Sequence, residues 1–109
     1  TTDSNRDLLT SHERFQKGGL SGKPLNDISN NVIKKFHKNL EGKIDIIGVG
    51  GINSGQAAFE KFSSGAKFLQ LYTGMVFHGP KIVNKISEEL NNILETNNVK
   101  KLSDIIGKI

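Results

Sequence analysis

The chain has 109 residues, 35% of them apolar, with 15 basic and 11 acidic side chains and a net charge of +4. That size suits one modest domain and leaves little room for a second. There is no cysteine, which excludes disulfides and thiol chemistry here, and no apolar run approaches the roughly 20 residues of a membrane span.

The lysines are scattered along helix faces, and no basic-and-aromatic alternation that would stack bases occurs. Solvated faces therefore account for the charge better than a nucleic-acid partner. Residues 3–17, "DSNRDLLTSHERFQK", lack both apolar content and periodicity and read as a polar loop, of a length typical of lids and binding loops. The next block, "GGLSGKPL" (18–25), is too rich in glycine and proline for regular structure.

A helix is predicted from Ser29 as N-cap to Gly42 at its C-terminal exit, with Val32, Ile33, Phe36 and Leu40 on one stripe. "IDIIGV", Ile44 to Val49, reads as a short strand covered on both faces. Ser54 caps a second helix through Ser64, with Ala58, Phe59 and Phe62 inward and Gly65 ending it. Phe68 to Tyr72 is a second strand, and an irregular turn follows at Thr73-Gly74. Pro80 opens a long helix whose Ile82, Val83, Ile86, Leu90, Ile93 and Leu94 share one face. A last short helix, Ser103 to Lys108, buries Ile105 and Ile106.

Two strands separated by one helix form a parallel βαβ unit. Two parallel strands cannot bury both faces of a sheet, so the pattern points to a piece of a larger barrel. Gly50-Gly51 at the first strand exit fit either a tight turn or an anion seat, where bare amides meet a phosphate. The second exit, Tyr72-Thr73-Gly74, comes one βα unit later, the spacing of the paired loops that build phosphate sites in (β/α)8 barrels. The pair of exits favours the anion seat.

Four blocks in order carry a resemblance: "GGLSGKPL" (18–25), "IIGVGGINSGQAAFEK" (46–61), "GAKFLQLYTGMVFHGP" (65–80) and "DIIG" (104–107). Together they closely resemble the dihydroorotate dehydrogenase family, in its class 2, quinone-linked branch. The resemblance runs over almost the whole chain, weakest in the polar loop. It implies an α/β fold, residues 1–109 forming the C-terminal part of one (β/α)8 TIM barrel, about the last two strands and their helices. It also implies the activity: oxidation of dihydroorotate to orotate in de novo pyrimidine biosynthesis, with FMN as cofactor and a ubiquinone-type acceptor. In that family a base removes a proton from the substrate while a hydride passes to the flavin.

Carried over residue by residue, Gly22, Gly50, Gly51, Tyr72, Thr73 and Gly74 match FMN contacts, with Gly50, Gly51, Thr73 and Gly74 around the phosphate. Thr1 matches a threonine of the substrate-binding motif. Ser21 is given no chemistry, and Met75, Val76 and Pro80 match positions lining the quinone passage or serve as plain apolar contacts. No catalytic or metal-binding residue is expected among the 109. The base, a flavin-contacting lysine and an N-terminal region that associates with a bacterial or mitochondrial inner membrane are expected upstream. His12, His37 and His78 read as surface histidines. Two other readings stand beside this one. A non-redox barrel enzyme with a phosphate site leaves "GGLSGKPL" unexplained, and a freestanding interaction module would need a stable fold from two strands.

Overall fold

The computed structural model describes residues 2–7 and 9–108. Helix α1 spans Asn26–Leu40, strand β1 Ile47–Val49, helix α2 Gly55–Ser63, strand β2 Phe68–Gln70, helix α3 Thr73–His78 and helix α4 Ile82–Thr96. Short 3-10 turns occur at His12–Phe15, Lys23–Leu25 and Leu102–Asp104.

Strands β1 and β2 lie side by side and parallel, with Ile47 opposite Phe68, Gly48 opposite Leu69 and Val49 opposite Gln70. Both are shorter than the sequence pattern suggests. Pairing begins only where the Lys67 N–H reaches the Ile46 carbonyl at 2.8 Å, and beyond Gln70 the chain turns into α3. The core lies between this sheet and helices α2 and α4: Ile52, Ala58, Ile82 and Ile86 are buried, with Leu69, Leu71 and Leu90 against them. The expected inward stripe of α4 divides, since Ile82 and Ile86 are buried while Val83 is exposed. Coverage on both strand faces is not what this chain provides. Ile47 is 60% exposed and Phe68 54%.

Helix α1 starts three residues before the expected cap, because the 3-10 turn Lys23–Leu25, with Pro24 in its first turn, runs straight into it. Ser29 consequently sits inside the helix, and its hydroxyl donates to the Val49 carbonyl at 2.5 Å. That bond ties α1 to the end of β1. At the other end Glu41 takes a left-handed φ of 50° and Gly42 follows at 76°. Only Ile33 of the four stripe residues is buried; Val32 and Phe36 are exposed and Leu40 is intermediate.

Helix α2 matches expectation closely. The Ser54 hydroxyl accepts from the Ala57 N–H at 3.2 Å, Ala58 and Phe62 are buried while Phe59 is only half-buried, and Gly65 follows the last turn. The irregular turn expected after β2 is instead the six-residue helix α3, which stops at Gly79 (φ 74°) before Pro80. The terminal helix is a 3-10 turn at Leu102–Asp104, followed by a buried Ile105 and a half-buried Ile106. His37 is half-buried rather than a surface group: a Cβ on Gly65 would fall 2.4 Å from its ring, and one on Gly107 2.1 Å away. The polar loop 3–17 is closed at its base, where Asp3 and Leu20 exchange backbone hydrogen bonds of 2.9 and 2.6 Å. Within it, Ser11 caps the turn at His12–Phe15, and the Arg6 guanidinium donates to the Gly18 carbonyl.

Candidate functional site

Both strands are parallel, so their C-terminal ends open on the same edge of the sheet. There the exits Gly50–Asn53 and Leu71–Gly74 meet the loop Ser21–Pro24, enclosing a cavity of about 640 Å³. Gly22, Gly50, Gly51, Tyr72, Thr73 and Gly74, the six residues expected to contact the cofactor, all line it. Thr1, the expected substrate contact, lies outside the described residues.

The glycines let three backbone segments converge. At position 74 a Cβ would stand 2.7 Å from the Ile52 carbonyl oxygen, so only a bare α-carbon lets the second exit touch the first. Gly51 has φ +75°, and a Cβ there would fall 2.6 Å from the Asn26 backbone nitrogen. Gly22, at φ +85°, faces the Thr73 methyl, which a Cβ would approach to 3.1 Å. Side chains at Gly22 and Gly51 would strain the backbone, and at Gly51 and Gly74 they would push the segments apart.

The two helices that start at the site differ in what meets their first amides. At α2 the Gly55 N–H donates to Glu89 Oε2 at 2.7 Å, and Ser54 takes the Ala57 N–H. The positive N-terminal end of α2 is therefore already answered by a carboxylate from α4. Helix α3 has no such cap: Tyr72 supplies no side-chain bond, and Thr73 and Gly74 open the helix on the cavity wall. Gly50, Gly51, Thr73 and Gly74 all line the cavity beside the start of α3, the helix start without a side-chain acceptor.

Sequence reasoning missed three groups. Lys23, in the glycine-rich loop, and His78, on α3, both line the cavity and bring cationic or donor chemistry to its rim. A lysine directly after Gly22 was a legible signal. His78 remains exposed, but on the cavity wall. The third is Lys61, fully buried on α2 and bonded to Asn26, against which Gly51 of the cavity wall packs. Burial lowers its pKa from 10.5 to about 8, the negative charges of Glu60 and Asp27 opposing that fall. Tyr72 and Phe77 are exposed and line the cavity, whereas Met75 and Val76 of α3 are exposed and lie off its wall.

Residues 1–94 match the family model described as "Dihydroorotate dehydrogenase". The chain belongs to the dihydroorotate dehydrogenase family. Its curated relatives place it in the quinone branch. It is 45% identical over 94 residues to the mouse protein "Dihydroorotate dehydrogenase (quinone), mitochondrial", covering 86% of this chain and 24% of that one. The Haemophilus influenzae "Dihydroorotate dehydrogenase (quinone)" is 46% identical over 90 residues, covering 82% of this chain and 26% of that one. Among solved structures, a ligand-free dihydroorotate dehydrogenase from Eimeria tenella superimposes with a TM-score of 0.93 at 33% identity. That match covers 99% of this chain and 30% of the Eimeria chain. The chain thus spans about a quarter of the length of the curated dihydroorotate dehydrogenases it matches.

Proposed function

We propose that this chain forms the C-terminal segment of an FMN-binding (β/α)8 barrel, about its last two strands and their helices. The complete enzyme would oxidise dihydroorotate to orotate in de novo pyrimidine biosynthesis, with a quinone as electron acceptor. One observation carries the reading: both strand exits and the Ser21–Pro24 loop line a single cavity, and all six expected flavin contacts are on its wall. The names of the relatives supply the substrate and the acceptor. The exposed Ile47 and Phe68 support the barrel, since further strands and helices would cover them.

Within the site, Gly50, Gly51 and Thr73–Gly74 at the start of α3 would hold the phosphate. Gly22 and Tyr72 flank the nucleotide, and Lys23 adds positive charge at the rim. When bound, FMN supplies the electron-accepting ring between substrate and quinone. Thr1 contacts substrate in this reading, and Met75, Val76 and Pro80 border the route of the quinone. The base and the membrane-associating region belong to the remainder of the enzyme, which places it at a bacterial or mitochondrial inner membrane.

The test is the full-length polypeptide, purified and examined for a flavin absorption band and for quinone reduction driven by dihydroorotate. Both are expected. A colourless, folded protein without that turnover would reject the reading in favour of a non-redox barrel with a phosphate site.

A further inference from the structure

A buried cation stands behind the anion seat. Lys61 sits on α2 with no exposed surface, and its ammonium donates to three oxygens of α1: Asn30 Oδ1 at 2.7 Å, the Asn26 carbonyl at 3.2 Å and Asn26 Oδ1 at 3.3 Å. Asn26 Nδ2 donates in turn to Glu60 Oε2 at 2.8 Å. No buried side-chain donor or acceptor is left unpartnered among the described residues, so the network is complete.

Asn26 is the residue on which the seat rests. Gly51 packs directly on its backbone, where a Cβ would stand 2.6 Å from the nitrogen. The Gly22–Pro24 wall of the cavity continues through the 3-10 turn Lys23–Leu25 into Asn26. Packing alone does not explain a lysine here. A desolvated ammonium is costly, and apolar side chains of similar volume commonly stabilise as well or better. What a hydrocarbon cannot do is hold three oxygens of α1 at fixed distances from α2.

We propose that Lys61 is a positioning residue for the phosphate seat, fixing the Asn26 end of α1 and, through it, Gly51 and the Gly22 loop. The role rests on the FMN reading of the cavity. The direct packing is of Gly51, in the phosphate seat, on Asn26, so the hold should weigh more on FMN than on riboflavin, which lacks the phosphate.

The experiment uses the full-length enzyme stripped of flavin, measuring FMN and riboflavin affinities by quenching of flavin fluorescence in wild type and Lys61→Met. By analogy with residues that support a ligand site from behind, FMN affinity should fall about tenfold, and riboflavin affinity by less than about twofold. A folded Lys61→Met protein with wild-type FMN affinity, or with equal losses for the two flavins, overturns the role. Should Lys61→Met fail to fold, Asn26→Ala removes one lysine acceptor at a half-buried position. It should lower the FMN-to-riboflavin preference in the same direction, and an unchanged preference overturns the role. Wild-type protein that binds neither flavin overturns the cofactor reading itself, a result distinct from these.

Discussion

Lys61 shows how one residue couples burial to pH. Its pKa is lowered from 10.5 to about 8 because desolvation penalises the ammonium more than Glu60 and Asp27 favour it. Below about pH 8 both folded and unfolded chains hold the proton, so this group adds no pH dependence. Between about 8 and 10.5 the unfolded chain binds the proton that the folded one has released, and stability rises with pH. Urea denaturation of the full-length protein and of Lys61→Met across that range checks the sign. The wild-type-minus-variant stability should increase, on the order of 2 kcal/mol across the window. A flat or falling difference would show that the ammonium is not desolvated as the structure places it.

At the scale of elements, the helix starts decide which amides face the cavity. Gly55 lies against α4, where a Cβ would stand 2.4 Å from the Glu89 Cβ, and that close approach lets the Glu89 carboxylate accept the Gly55 N–H. Glu89 also lies 3.7 Å from Lys85, an exposed pair that contributes little. Glu89→Ala should therefore destabilise the protein by about 1.5 kcal/mol through the lost charged hydrogen bond. Glu89→Gln, which keeps an accepting oxygen, should cost less. Thermal melts of the two variants give the ordering, and equal midpoints would mean the cap contributes nothing. The link from Ser29 to Val49 acts similarly, fixing α1 against the strand whose exit lines the cavity.

On the scale of the whole molecule, the chain is a slab, 45 by 33 by 19 Å, with a radius of gyration of 14.6 Å. A compact domain of this length would measure about 13 Å. The excess fits the uncovered apolar side chains on α1 and the sheet, among them Val32, Phe36, Ile47 and Phe68. Expressed alone, residues 1–109 should bind a hydrophobic dye, associate with rising concentration, and show neither dihydroorotate turnover nor tight FMN binding. A sharply melting monomer with turnover would contradict the barrel-segment proposal.

Much of this was legible in local chemistry. Ser54 before an alternation of small and apolar residues defined α2, because capping and periodicity act over only a few residues. Glycines at both strand exits marked the two edges of the cavity. What sequence could not show was decided between elements. Ser29 looks like a cap but is used to bind β1, since the 3-10 turn before Asn26 had already started the helix. Lys61 and His37 look like solvent-facing polar residues, yet one is buried against α1 and the other is slotted between Gly65 and Gly107. By itself, then, the sequence determined the alternation of α1, β1, α2, β2 and α4 and the positions of bare backbone, though not the short helix α3, because those follow from each residue's own sterics and its near neighbours. Only the tertiary structure decided which helix start is capped by a distant carboxylate and which polar side chains go inside. Those outcomes depend on partners some 20 to 35 residues away along the chain, as in Ser29–Val49 and Asn26–Lys61.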